Sequence, residues 1–137
     1  MMDIMEFKIL NTAIERILNQ EMAELDITYT QATVIGFLNM NQHGEICQKD
    51  IEHGLGLTHP TVSSILNRLE EKKLIVTEPL QSDRRYKKIV LTEKSTVMTH
   101  AITEKIKKIT EQLFDGLSEE EKIGLSCTVK KLIDNII

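Results

Sequence analysis

The chain has 137 residues, 41% of them hydrophobic and 28% charged, and a net charge of −4. That length buries one modest core, so a single domain with helical extensions is expected, and two prolines and six glycines leave no low-complexity linker. No apolar run marks a signal peptide or membrane span, and 4% aromatics without Trp argue against a base-stacking single-strand binder, so a cytoplasmic chain with no membrane partner is expected.

Phe7, Leu10, Ile14, Ile17 and Leu18 form an apolar stripe that predicts a first helix ending near Met22. A second helix follows Thr28 or Thr30, carries Val34, Ile35 and Leu38, and stops before Asn41-Gln42-His43-Gly44. Gly44-Glu45-Ile46 is expected as a short third strand beside a later hairpin. Cys47 to Leu55 reads as a helix with Ile51 pointing inward and with Gly54 and Gly56 in the turn after it.

Thr58 is the expected N-cap of the next helix, with Pro60 in its first turn, where a missing N–H is harmless; the helix runs to about Lys73. Val62, Ile65, Leu66 and Leu69 fall at i, i+3, i+4 and i+7 and make its buried stripe. The opposite face centres on Pro60, Ser64 and Asn67, flanked by Thr61, Ser63 and Arg68. An ordinary solvated face carries Glu and Lys; short polar groups instead let the backbone approach another molecule's edges. A hairpin follows, with strands Leu74 to Leu80 and Arg85 to Thr92 around a turn at Gln81 to Arg84. Its tip, Asp83 to Lys88, holds four cations and one anion, a prong suited to phosphates or a narrow minor groove.

Residues 93 to 114 predict a long helix with Val97, Ile102, Ile106, Ile109 and Leu113 as its apolar positions. A break follows Gly116, and Ser118 with Glu121 has capping-box spacing for a last helix. That helix carries Ile123, Leu125, Val129, Leu132, Ile133, Ile136 and Ile137 over more than one face. Left bare they would form a large apolar patch, which packing on the long helix or a homodimer built from the terminal helices would cover. Charge is unevenly spread: residues 1–46 hold two cations and seven anions, residues 47–94 nine and seven, and residues 95–137 six and seven. Only the middle third is net positive, at +2.

On these residues the chain resembles the MarR-type winged-helix transcriptional regulators. The likeness rests on the helix-turn-helix register of QKDIEHGLGLTHPTVSSILNRLEEKKLI and on the wing pattern D-x-R followed by a strand ending in Leu-Thr, here Asp83, Arg85, Leu91 and Thr92. It extends over essentially all 137 residues. The resemblance implies a mainly α (α+β) fold: a single MarR-like domain, 1–137, with a winged helix-turn-helix at 28–94 and helical dimerisation regions at 1–27 and 95–137. It also implies double-stranded DNA as partner, a homodimer on a palindromic operator, and a repressor released by a small lipophilic or aromatic effector, as in repressors of drug-efflux genes.

The candidate DNA contacts are His59, Pro60, Thr61, Ser63, Ser64, Asn67, Arg68, Arg84, Arg85 and Lys87, with Asp83 structuring the wing by holding Arg85 or the turn amides. Each has a plainer reading. Ser63, Ser64 and Asn67 suit a solvated helix face, Arg68 can pair with Glu70 or Glu71, and Arg84 and Arg85 suit an ordinary charged turn; the basic wing beside the polar helix favours contact. Tyr86 and Lys87 alternate along a strand, so at most one is expected to reach a phosphate.

Other chemistry finds less support. Cys47 opens a helix and Cys127 sits among apolar residues in the last one, so both read as structural thiols of a reducing cytosol. His100 and Glu104 have chelating i, i+4 spacing, but a firm metal site takes a second His, and no cofactor or metal is expected. No phosphate loop, His-Glu-x-x-His or nucleophile elbow is present, so an enzyme is not expected. Two alternatives stay open on sequence alone: a winged-helix protein-interaction module without DNA binding, and a metal- or thiol-responsive sensor of the same fold.

Overall fold

The computed structural model describes residues 2–137. In chain order they form α1 (Ile4–Ala23), α2 (Tyr29–Met40), α3 (Gln48–Leu55), α4 (His59–Glu71), β1 (Ile75–Pro79), β2 (Lys87–Leu91), α5 (Glu93–Leu113) and α6 (Glu119–Ile136). Backbone contacts divide the chain into two units, the first ending at Lys105 and the second spanning Ile106–Ile137. No helix among the described residues is long and apolar enough to cross a membrane.

Local chemistry sets the helix ends. Thr28 and Gln31 form the reciprocal capping box of α2, and Thr58 accepts from the Thr61 amide at the start of α4, with Pro60 in the first turn. At the far end of α4, the Leu74 N–H donates to the Leu69 carbonyl at 2.9 Å and the Lys73 N–H to Glu70 at 3.0 Å. With Lys73 at φ +60 and Leu69 and Leu74 both buried, this is a Schellman stop with its hydrophobic contact.

The core of the first unit gathers the expected stripe of α4 (Val62, Ile65, Leu66, Leu69) with Met22, Val34, Ile35, Leu38, Ile51, Leu74, Ile75 and Ile89. Each such side chain contributes about 1.5–3 kcal/mol before the opposing chain entropy, so the α4 stripe anchors the polar face on its other side. In the wing, Ile75 pairs with Leu91, Thr77 with Ile89 and Glu78 with Lys88, which puts opposite charges across the ladder. The sheet has two strands among the described residues. Ile46, expected in a third strand, gives a single link, accepting from the Ile89 N–H at 2.8 Å. The strands are shorter than the pattern suggested: the ladder runs from 75 to 79 and from 87 to 91, and the Leu80 N–H bond to the Tyr86 carbonyl at 3.0 Å closes the turn beyond it.

Gly54 also departs from expectation. It lies within α3, and the turn belongs to Gly56 at φ +64. Close packing explains the glycine: a Cβ there would come within 2.3 Å of the Phe37 ring.

The start of α5 is clasped to the junction of α4 and β1. Thr92 Oγ1 donates to the Lys73 carbonyl at 2.8 Å, the Thr92 N–H to Leu74 at 3.1 Å, and Lys94 Nζ to the Lys72 carbonyl at 3.1 Å. The wholly buried Ser95 adds a hydroxyl bond to the Leu74 carbonyl. Further along, Lys105 pairs with Glu21 and Glu24 at the end of α1, and these bonds raise its pKa. Val97, placed in the α5 stripe by its spacing, is instead 73% exposed.

In the second unit, Gly116 at φ +85 makes the break, and Ser118 and Glu121 form the expected capping box of α6. No residue of α6 is buried. Ile123, Leu125, Val129, Leu132, Ile133 and Ile136 are all exposed, and so is Cys127, which the sequence had placed among apolar neighbours.

Candidate nucleic-acid interface

Three segments of the first unit enclose a cleft of about 510 Å³: the start of α3, the polar side of α4 and the near edge of the wing. α4 reaches it because its opposite stripe is fixed in the core, and the wing reaches it because Ile75 and Ile89 root the hairpin in the same core. From α3 and the residue before it come Cys47, Gln48, Lys49 and Glu52; from α4 His59, Ser63, Asn67 and Glu70; from the wing Thr77, Arg85, Tyr86 and Lys87. Lys49, Arg85 and Lys87 face Glu52 and Glu70, so the lining is mixed with a small basic excess.

Among the sequence candidates, His59, Ser63, Asn67, Arg85 and Lys87 come together on this cleft. Pro60, Thr61, Ser64 and Arg68 are exposed on α4 outside it, and Arg84 lines a separate depression with Pro79, Leu80 and Gln81. Arg68 has no ion-pair partner among the described residues. Tyr86 and Lys87 both line the cleft; Lys87 opens β2 and Tyr86 lies just before it.

The wing tip is built as the D-x-R spacing requires. Asp83 accepts from the Arg85 N–H at 3.1 Å and from its guanidinium at 3.0 Å (Nε) and 2.8 Å (Nη2). This two-point fork holds the Asp83 carboxyl below its ordinary pKa and raises that of Arg85. The Arg85 side chain stays 84% exposed and its guanidinium carbon lies 6.0 Å from the centre of the Tyr86 ring, so its direction is set while its charge faces solvent.

A second network joins α3 to the first turns of α4. Gln48 Nε2 lies 2.8 Å from Ser63 Oγ, 3.3 Å from the His59 carbonyl and 3.0 Å from His59 Nδ1, and the Glu52 carboxylate lies 2.8 Å from the same Nδ1. Gln48, Lys49 and Glu52 escaped the sequence reading. The i, i+4 spacing of Gln48 and Glu52, which puts both on one face of a short helix, was the available signal.

The sensor alternatives gain nothing from the geometry. Cys47 is half-buried, with its Sγ 3.3 Å from the Asp50 carboxylate. Among the described residues, no three His, Cys, Asp or Glu side chains cluster as a metal site.

The polar side of α4 and the basic wing flank this one cleft. A sequence model of the MarR family matches residues 25–85. Among solved structures, the chain is similar to the S. aureus MepR–DNA complex, at 29% identity over 100% of this chain and 99% of that one, with a TM-score of 0.91. A second structure, S. aureus MepR in DNA-binding conformation, is 30% identical over 96% of each chain, with a TM-score of 0.79. The transcription regulator MarR from Oenococcus oeni PSU-1 is 28% identical over 96% of this chain and 99% of that one, with a TM-score of 0.76.

Proposed function

The chain belongs to the MarR family, and from that premise we propose that it is a transcriptional regulator that binds double-stranded DNA as a homodimer. The observation that carries this reading is the cleft itself, where the polar face of α4 and a wing locked by the Asp83–Arg85 fork face the same space. α4 enters the major groove, Ser63, Ser64 and Asn67 meet base edges, and Arg84, Arg85 and Lys87 neutralise phosphates or reach the adjoining minor groove. Asp83 orients Arg85 and does not itself touch DNA.

Dimerisation is supported by the apolar side chains left exposed on α1 (Ile4, Met5, Phe7, Ile9, Leu10) and, separately, on α6. A two-fold dimer sets two reading heads about 34–36 Å apart and calls for a palindromic operator. The protein acts in the cytoplasm, without catalysis, as a repressor. A small lipophilic or aromatic effector lowers DNA affinity by favouring a different spacing of the heads. An electrophoretic shift with the DNA upstream of its own gene, at two salt concentrations, tests the reading. Specific binding that weakens with salt is expected, and absence of binding at low salt would refute it.

A further inference from the structure

The imidazole of His59 is tied to α3 at one nitrogen and bare at the other. Its Nδ1 lies 2.8 Å from the Glu52 carboxylate, which only accepts, so Nδ1 carries a hydrogen. Nε2 has no partner among the described residues, and the side chain is 71% exposed on the cleft. With the hydrogen of the neutral ring committed to Nδ1, Nε2 offers only a lone pair, and it donates only as part of an imidazolium. Resting on the reading that this cleft receives duplex DNA, we propose that His59 contacts a backbone phosphate through Nε2 as an imidazolium positioned by Glu52, so that DNA binding takes up a proton.

A phosphate oxygen only accepts, so it bonds Nε2 only when that atom carries a hydrogen. The neighbourhood suits an anion: Lys49 lines the same cleft, and His59 is the first residue of α4, at the positive end of the helix dipole. Lys49, with Arg85 and Lys87 from the wing, opposes a positive charge on the ring, whereas Glu52 at 2.8 Å, and Glu70 further along α4, favour one. A phosphate at Nε2 adds a second close anion and moves this balance towards the imidazolium. Of the side-chain types lining the cleft, histidine is the one whose charge ordinarily changes between about pH 6 and about pH 8. Affinity therefore rises as pH falls through that window, because the complex holds more protons than its free components. A base edge gives the opposite sign: cytosine N4 or adenine N6 donates to the neutral Nε2, and binding then expels protons.

The test uses the full-length protein and a duplex that it selects from random sequences. Calorimetric titration at about pH 7 in PIPES and in Tris, whose ionisation heats differ, counts the protons taken up, and fluorescence polarisation follows affinity from about pH 8 to about pH 6. Wild type should take up about half a proton per protomer, and its affinity should rise about fivefold for each head across that window. His59→Gln, which has no titrating ring, should lose this uptake. In Glu52→Gln the amide can donate to Nδ1 as well as accept from it, so the neutral ring can carry its hydrogen on Nε2 and meet the phosphate uncharged. Uptake in that variant should fall below that of wild type. Equal uptake in wild type and His59→Gln overturns the proposal, as does a net release of protons when wild type binds. Uptake that is lost in His59→Gln but undiminished in Glu52→Gln overturns the role given to Glu52. A wild type that selects no duplex at any pH refutes DNA recognition itself, a result distinct from these.

Discussion

Gly54→Ala sets two opposed effects against each other inside α3. The added carbon would lie 2.3 Å from Phe37 Cε2 and 2.6 Å from Cζ, whereas carbon atoms settle at about 3.5–4.0 Å, so the ring has to retreat by more than about 1 Å. Overpacking of this kind costs about 1–3 kcal/mol, against a gain of about 0.5–1 kcal/mol for alanine over glycine in a helix interior. Phe37 is half-buried and yields part of the way, so a net loss of about 1 kcal/mol is expected, or about 3–4 °C in Tm for a chain of this length. In a Phe37→Ala background the methyl has room, and the same change should stabilise by about 0.5–1 kcal/mol. Urea unfolding of the four proteins of this cycle, all at one concentration because a dimer's stability depends on it, measures the coupling at about 1.5–2 kcal/mol. If Gly54→Ala stabilises both backgrounds equally, the ring moves freely and the close-packing argument is refuted.

Arg85→Ala should leave the fold intact and flatten the plot of log K against log salt by about 0.9, the slope that one neutralised phosphate supplies; an unchanged slope and affinity would make the wing a mere surface turn. Because the Asp83 pKa is lowered in the folded protein, the Asp83–Arg85 fork is present above the ordinary aspartate value of about 3.9 and is lost only as pH falls through the lower folded value. The Arg85 Nε–H resonance should report that midpoint, and a midpoint at or above about 3.9 would show the fork absent in solution. Ile51→Ala, at a wholly buried site, should cost about 2–5 kcal/mol in urea unfolding, and a loss under about 1 kcal/mol would place Ile51 outside the core. Leu132→Lys on the exposed face of α6 should move sedimentation from dimer towards monomer, and an unchanged dimer would put the interface elsewhere.

What the sequence made legible follows from how local each signal is. The α4 stripe, the Thr58 cap, the Ser118–Glu121 box and the D-x-R fork depend on partners within a few residues, so spacing alone predicts them. Gly54 was misplaced because its reason lies in a ring 17 positions earlier in the chain, and no local pattern distinguishes a packing glycine from a turn glycine. Ile46 kept only one ladder bond for the same reason: pairing of a third strand depends on the register of a distant hairpin. The candidate residues of α4 and the wing were readable as a face and a charge cluster. Which members share one cleft, and that α3 supplies Gln48 to it, depended on the crossing of two helices, which sequence spacing does not encode.

The two ends of α4 are held by different neighbours, and this bears on how an effector could act. Its first turns are tied to α3 through Gln48, and its last turn is tied to α5 through Thr92, Lys94 and Ser95, with Lys72 reaching the Asp26 carbonyl and Gln31. Interior hydrogen bonds contribute about 0.5–1.5 kcal/mol each, and a buried partner left unpaired costs more, so a shift of the α5 start is cheaper if α4 and the wing move with it than if the clasp breaks. A ligand that displaces α5 would then move the reading face as a body and alter head spacing before it alters the face itself. On that account Thr92→Val, which removes the hydroxyl and preserves the shape, should leave DNA affinity of the free protein near normal while reducing its response to effector. Equal responses in the two proteins would show that the clasp transmits nothing.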